Sequence, residues 1–551
     1  MATWLAGARP YALLTGLCLM LYLPGIGAIP PLDRDEARFA QATRQMLETG
    51  DFLRIRFQDE ARNRKPAGIY WLQAASVALF SAAESDAIWP YRLPSLIGAS
   101  AAVLLTFALG LLVLRDDPSV ADAGLAAFTA AVVLAGSIGL VAEAHIAKTD
   151  AALLATIVVG QGALGLAYLR GRRGEPVPLA AAAAFWIAEA AGILIKGPIA
   201  PGLAALTALG LAVADRQAGW VRGLRPVSGL LLLTVVLAPW LIAIERATTG
   251  QFLAQSLGHD FFSKLIGAQE AHGAPPLSYL LASVATFWPG SLFLVPSLVR
   301  GWRRRNEAPT RFLLAWLIPA WVVIELVPTK LPHYALSLYP ALALLTAGAI
   351  GEIAAVPLTG WVRGADIAVR VLWGAVTFAL AAALVALPLN YGAHLSALGI
   401  VGAALLAGAV VWSWLRTMPV PAGIAVVAAV FVVPFTAGVA PGLDRLWLSR
   451  AAAALVAERP PQPGAPLVAV GYDEPSLVFL LGTRLHVTDA VEAAALVAHG
   501  GEALVSDREQ PQFEQAVSTR GLVARPLGSA RGIDYANGHR LVLTLYSVEP
   551  G

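Results

Sequence analysis

The chain has 551 residues, of which 57% are hydrophobic and 14% charged, and its mean hydropathy is +0.67. Soluble domains carry about 25% charged residues, so a string of polar-skinned soluble domains is excluded, as is a disordered chain, and a polytopic membrane protein remains. A net charge of +3 points to no nucleic-acid partner, and the single cysteine, Cys18, excludes an intrachain disulfide and a cysteine-based metal cluster.

A membrane-spanning helix needs about 20 mostly apolar residues. About 13 such stretches are predicted, near 10–30, 92–114, 121–142, 151–169, 179–197, 199–214, 227–246, 277–299, 312–328, 334–350, 367–388, 394–415 and 420–440. The first lacks the basic cluster and A-x-A site of a cleaved signal. Between the first two lies a loop, 31–66, with 15 charged residues in 36. The apolar stretch 69–80 is short, and counting it as a crossing would invert every later loop. It is therefore predicted as an interfacial helix with Tyr70 and Trp71 at headgroup level. The fifth and sixth spans meet at Lys196-Gly197-Pro198, where glycine and proline break the helix.

From about 445 the composition changes: the last 107 residues carry 20 charges and no 18-residue apolar run. Strands are predicted at 467–470, 503–505 and 541–545 and helices at 488–499 and 511–520, with the proline-rich 459–463 as linker or entering loop. The expected fold is an all-α polytopic membrane domain, 1–444, followed by a small α/β domain, 445–551. Residues 31–91 would form the first outer loop with its juxtamembrane helices.

Orientation follows from the positive-inside rule. With the N-terminus in the cytoplasm, the arginine clusters at Arg170, Arg172 and Arg173, at Arg216, Arg222 and Arg225, and at Arg300, Arg303, Arg304, Arg305 and Arg311 fall inside. An odd number of spans then puts the C-terminal domain outside. The first loop breaks the rule, with eight Lys or Arg on the outer side beside seven acids, which suggests chemistry there.

Asp33, Asp35 and Glu36 follow the first span directly, and acids at a membrane face are costly unless solvated or functional. They are candidates for a general base or for orienting an acceptor; a solvated loop start is the alternative. The same face receives Arg64-Lys65, Lys148-Thr149-Asp150, Lys196, then His259, Asp260, Lys264, Glu270 and His272, and finally Lys330 with His333 and Tyr334. All five lysines of the chain are expected there. A lysine ammonium is a point-charge ligand for phosphate, although any one of them could be an interfacial anchor. Lysines and acids converging at the lipid boundary suit the reaction of a phosphate-linked lipid, whose phosphate leaves more readily beside fixed positive charge. A flippase or transporter would instead place charges near mid-membrane. Here Glu143, Glu189 and Glu325 are exceptions, near span ends or facing a neighbouring helix.

The blocks Pro31–Ala40, Met46–Phe52 and Arg64–Leu72 resemble the first outer loop of bacterial GT-C glycosyltransferases, similar to the lipid A aminoarabinose transferases and the protein O-mannosyltransferases. Tyr91–Ser95 resembles the start of their second span, and Lys148-Thr149-Asp150, Lys196-Gly197-Pro198 and Lys330–Tyr334 match later motifs in order. The resemblance implies a GT-C fold and inverting transfer of a sugar from a polyprenyl (undecaprenyl) phosphate on the periplasmic face of the bacterial inner membrane. The acceptor would be lipid A or another envelope lipid or glycan, with protein Ser/Thr hydroxyls as the alternative. Asp35 would be the first-loop catalytic aspartate and Asp150 the second acid. Lys65, Lys196, Lys330 and Tyr334 would hold the donor phosphate, supported by Arg38; Glu36, Lys148, His333 and Lys264 are further candidates. The aminoarabinose transferases typically carry an acid where Arg64 stands, an acid that can serve a metal or an amino sugar. Arg64 suits instead an extra phosphate or a carboxylated sugar such as a uronic acid. No cofactor is required; Glu270 and His272 could touch a divalent cation. A monomer is expected.

Overall fold

The structure is a computed structural model and describes residues 7–32, 34–63, 65–256, 274–352, 358–392, 394–415 and 420–550. Helix α1 (Arg9–Tyr22) leads into α2 (Arg34–Thr49), a two-residue hairpin, β1 (Arg56–Phe57) with β2 (Glu60–Ala61), and α3 (Gly68–Phe80). Then come α4 (Trp89–Leu114), α5 (Ala123–Gly136), α6 (Ile138–Ala144), α7 (Asp150–Arg172), α8 (Leu179–Lys196), α9 (Ile199–Asp215) and α10 (Pro226–Ala247). After the undescribed stretch follow α11 (Ser278–Thr286), α12 (Leu294–Arg303), α13 (Ala308–Leu326), α14 (Tyr339–Glu352), α15 (Gly360–Tyr391), α16 (Ala397–Leu415) and α17 (Val420–Val433). Among the described residues eight helices are long and apolar enough to cross a membrane, or nine if the bent pair α5–α6 is one span. The chain is thus a mostly helical, multi-pass membrane protein.

Helix α14 and the start of α7 are interior, whereas α10 and α15 turn large apolar side chains outward, among them Val227, Leu231, Val235 and Phe378. Such an apolar exterior is what a helix bundle offers to lipid. The third predicted span departs from the expectation. It bends by 61° between α5 and α6. At Ser137 the backbone is extended, and Ile138 N–H donates to Trp288 O at 3.1 Å instead of continuing the helix ladder. Helix α6 is thereby swung aside, and it delivers Glu143 and the 145–149 turn to the start of α7. The 69–80 helix exists as α3, but Tyr70 is fully buried, its ring 5.1 Å from Phe39, so it packs against protein and not against lipid headgroups. Trp71 is half-buried and donates its indole N–H to Phe52 O.

The C-terminal unit begins with α18 (Leu448–Glu458) and β3 (Leu467–Val470), then α19 (Pro475–Leu481), β4 (His486–Thr488), α20 (Ala490–Leu496), β5 (Gly501–Ser506), α21 (Gln510–Thr519), β6 (Leu522–Asp534) and β7 (His539–Pro550). The sheet order is β4-β3-β5-β7-β6, with β4, β3 and β5 parallel and β7 and β6 antiparallel to their neighbours. Helices α20 and α21 pack on one core and α18 and α19 on another. Residues 459–463 connect α18 to β3 inside this unit, rather than linking it to the membrane helices.

This unit sits on α2. Arg34 lies 3.3 Å from Glu474 and 3.6 Å from Asp473. Glu474 is almost wholly buried, and burial pushes its carboxyl up to about 7 against the opposing pull of Arg34. A carboxyl raised above its unfolded value favours the fold at low pH, and that contribution is lost as pH rises through 7. Glu474→Gln, which cannot ionise, should therefore stabilise the protein by on the order of 2 kcal/mol at pH 8 and leave it unchanged near pH 4. Melting curves of the two proteins in detergent at both pH values check this.

Candidate active site

Three helix ends and two loops meet in one cavity of about 280 Å³. Helix α7 starts at Asp150 and is drawn tightly onto α4, where a side chain on Gly98 would lie 2.6 Å from Ala152 Cα. Helix α8 ends at Lys196 because Gly197 adopts φ +71, and α9 starts after Pro198, so the reversal leaves Lys196 at the rim. The turn Pro332–Leu338 brings in His333 and Tyr334, and the loop before α3 brings in Lys65 and Pro66. Away from these polar groups the walls are apolar: Leu153, Leu154 and Ile157 of α7, Leu203 and Leu206 of α9, Val323 and Ile324 of α13.

Lys196 Nζ donates to Asp150 Oδ1 at 2.5 Å. His333 stands between two carboxylates, with Nε2 4.0 Å from Asp150 Oδ1 and Nδ1 3.9 Å from Glu143 Oε1. Its ring meets Tyr334 edge-on at 5.0 Å. Thr149 donates its hydroxyl to Asp150 Oδ2 at 3.2 Å. The cavity therefore combines ammonium groups, an imidazole and a phenol at the mouth with an apolar slot behind. That chemistry accepts an anionic headgroup on a hydrocarbon chain, and the acids set the position of the cations. Glu143 was seen in the sequence only as an exception to charge-free spans; its signal was an acid in an apolar run.

Asp35 and Arg38 lie outside this lining, on α2, where they pair at 3.6 Å. The Asp35 side chain is 53% exposed, so a solvated acceptor can reach it. Its charge is felt by Tyr70, whose phenol burial pushes up to about 12, with Arg62 acting the other way. Glu36, one residue on, is turned into the core and away from the cavity lining. It is wholly buried and accepts from Arg92 Nε at 2.7 Å and Nη2 at 3.0 Å, from Leu32 N at 2.7 Å and from Ala147 N at 2.8 Å. Every lone pair it could offer a substrate is already engaged.

Lys148 is buried beside Asp150, whose carboxylate it helps stabilise, but it is not in the cavity lining. Lys330 is likewise not in the lining: its ammonium donates to Glu325 O at 2.6 Å and to Glu325 Oε2 at 3.2 Å and lies 5.4 Å over the Tyr279 ring. To hold a phosphate, as the sequence reading expects, the ammonium would have to leave Glu325. Under the sugar transfer expected from the sequence, Lys330→Gln should change donor KM less than about threefold, whereas Lys65→Ala should raise it about tenfold or more. Titration of transfer rate against donor concentration separates the two. Arg64, Lys264, Glu270 and His272 lie outside the described residues, as do His259 and Asp260. Among the described residues no group of three or more His, Cys, Asp or Glu is placed to hold a metal ion.

The fold is one already seen in solved structures. ArnT from Cupriavidus metallidurans, crystallised with undecaprenyl phosphate, superimposes with a TM-score of 0.72 over 98% of both chains at 19% identity, and its apo form with 0.70 over 97% of both. In sequence the chain is 28% identical over 339 residues, 61% of its length, to an undecaprenyl phosphate-α-4-amino-4-deoxy-L-arabinose arabinosyl transferase of Pseudomonas fluorescens, and 27% identical over 339 residues to one of Pseudomonas aeruginosa. These matches span 54% and 59% of the relatives' own lengths. No protein-family model matches the chain. The resemblance read from the motifs is thus met both in sequence and in fold.

Proposed function

We propose that the protein is an inverting glycosyltransferase of the periplasmic face of the bacterial inner membrane. It would move a sugar from an undecaprenyl-phosphate carrier to lipid A or a related envelope lipid or glycan. The observation that carries this reading is the one cavity lined by Lys65, Asp150, Lys196, His333 and Tyr334 together with apolar side chains, with Lys196 and His333 facing Asp150. The headgroup phosphate meets the cations and the polyprenyl chain lies along α7, α9 and α13. The acceptor oxygen attacks the anomeric carbon opposite the lipid phosphate, the carbon–oxygen bond to phosphate breaks, and undecaprenyl phosphate leaves with the electron pair. A hydroxyl acceptor gives its proton to Asp35; a phosphate acceptor has none to give, and Asp35 then orients it.

The same reading takes the chain as thirteen crossings, counting α1, the bent pair α5–α6, α9, the broken pair α11–α12 and α16 beside the eight longer spans. Residues 1–444 would form the catalytic membrane domain and 445–551 a periplasmic one, and the protein would act as a monomer. The relatives named above are named for 4-amino-4-deoxy-L-arabinose; Arg64 before Lys65 suits instead an extra phosphate or a carboxylated sugar such as a uronic acid. Mass spectrometry of lipid A and envelope glycans from cells with and without the gene tests the proposal. A sugar-sized mass lost from lipid A supports it, loss from proteins alone replaces the acceptor with Ser or Thr, and no change in any glycan overturns it.

A further inference from the structure

The C-terminal unit touches the membrane part through the back of the helix that carries Asp35. Asp35 and Arg44 are nine residues apart on α2, which at about 100° per residue puts them on opposite sides of the helix. Asp35 is exposed and Arg44 is buried. The Arg44 guanidinium holds three elements at once: Nη1 donates to Phe479 O of α19 at 2.9 Å, Nη2 to Glu84 O of the loop before α4 at 3.0 Å, and Nε to Glu48 of its own helix at 2.9 Å. Beside it, Thr483 accepts from Gln41 Nε2 and donates to Glu48 Oε2, each at 2.7 Å. Phe479 itself is wedged into a core with Ala40 of α2, Val77, Ile88, Tyr91 and Ala147, the last only three residues before Asp150. The lining of the donor cavity includes no residue of α2 and none of the C-terminal unit.

We propose that the C-terminal unit serves the reaction by clamping α2 from behind, and that Arg44 is the positioning residue that passes this constraint to Asp35. The role rests on the reading of Asp35 as the acceptor-side acid. The end of α2 that carries Asp35 is held on the membrane side by Glu36, bonded to Arg92, Leu32 N and Ala147 N, and a displacement of about 1 Å at a reacting group there can cost about a hundredfold in rate. The clamp fixes the same helix further along, at Gln41 and Arg44, without entering the donor cavity.

Three full-length proteins test this against wild type in lipid nanodiscs: Arg44→Gln, Thr483→Val, and Val491→Ser on the exposed face of α20 as a control. Two readouts are taken, amide hydrogen exchange in peptides covering 34–49 and the separate kcat and donor KM of sugar transfer. The expected result is faster exchange in α2 for Arg44→Gln and Thr483→Val, by about tenfold. Their kcat should fall by about tenfold or more with donor KM within twofold, and Val491→Ser should match wild type in both. Unchanged exchange in α2 overturns the clamp. Faster exchange with kcat within twofold of wild type, or a loss that appears equally in donor KM, overturns the link to Asp35. Wild type that transfers no sugar from the undecaprenyl-phosphate donor tells against the glycosyltransferase reading instead, and the exchange data still decide whether the clamp exists.

Discussion

Asp150→Asn should lower sugar transfer by two to three orders of magnitude while the protein still folds. The carboxylate receives the Lys196 ammonium at 2.5 Å, faces His333 at 4.0 Å and is flanked by Lys148. An amide of the same shape keeps the volume and removes the charge. Lys196 then loses the partner that fixes it at the rim of the cavity, and the cations there repel one another without a counter-charge. A leaving phosphate would meet the same residues in a looser array, and stabilisation of developing charge depends on that array being set beforehand. The comparison that makes the result specific is Asp35→Asn. With a hydroxyl acceptor, loss of a positioned base costs about 10²–10⁴ in rate, and donor KM should hardly move because Asp35 is outside the cavity lining. Asp150→Asn should instead disturb donor KM as well as kcat. Both are read from initial rates of transfer with the donor varied, alongside melting temperature. Turnover near wild type for Asp150→Asn in a folded sample would remove Asp150 from the site.

How far the sequence reached depended on the kind of interaction. Apolar runs located the membrane helices, since twenty apolar residues leave a chain few alternatives. The order of the lysine and acid motifs brought Lys65, Asp150, Lys196, His333 and Tyr334 into one reading, and one cavity holds all five. What the sequence could not supply was direction. Lys330 reads like the other lysines, yet it is taken by Glu325, an acid that appeared in the sequence only as an exception to an apolar span. The bend after α5 has its cause in Trp288, more than a hundred residues away, so no local pattern announces it. In the C-terminal unit the apolar strands β3, β5 and β7 were legible. The edge strand β6 was not: it holds Pro526, Gly528 and two arginines, residues that suit an edge and a bulge but carry no alternating pattern.

The sharpest case is the pair Asp35 and Glu36, whose fates the sequence could not separate. One step along α2 turns a side chain by about 100°, enough to send Asp35 outward and Glu36 into the core against Arg92. Arg92 also donates to the carbonyls of Ile26, Ile29 and Pro30, at 2.8, 2.7 and 3.0 Å. Glu36 in turn holds Leu32 N ahead of α2 and Ala147 N ahead of Asp150. Removing one partner of a buried pair leaves the other charged and unpaired, at a cost of about 3–5 kcal/mol. Glu36→Ala should accordingly lower the melting temperature in detergent by many degrees and reduce the yield of folded protein. Asp35→Ala, at an exposed position, should leave the melting temperature within about 2 °C, because surface substitutions cost little, while abolishing transfer. Replacing both Glu36 and Arg92 by apolar residues should recover only part of the loss, since the three carbonyls and two N–H groups would keep no partner. A crossed outcome, with Glu36→Ala stable but inactive and Asp35→Ala unstable but active, would exchange the roles of the two acids.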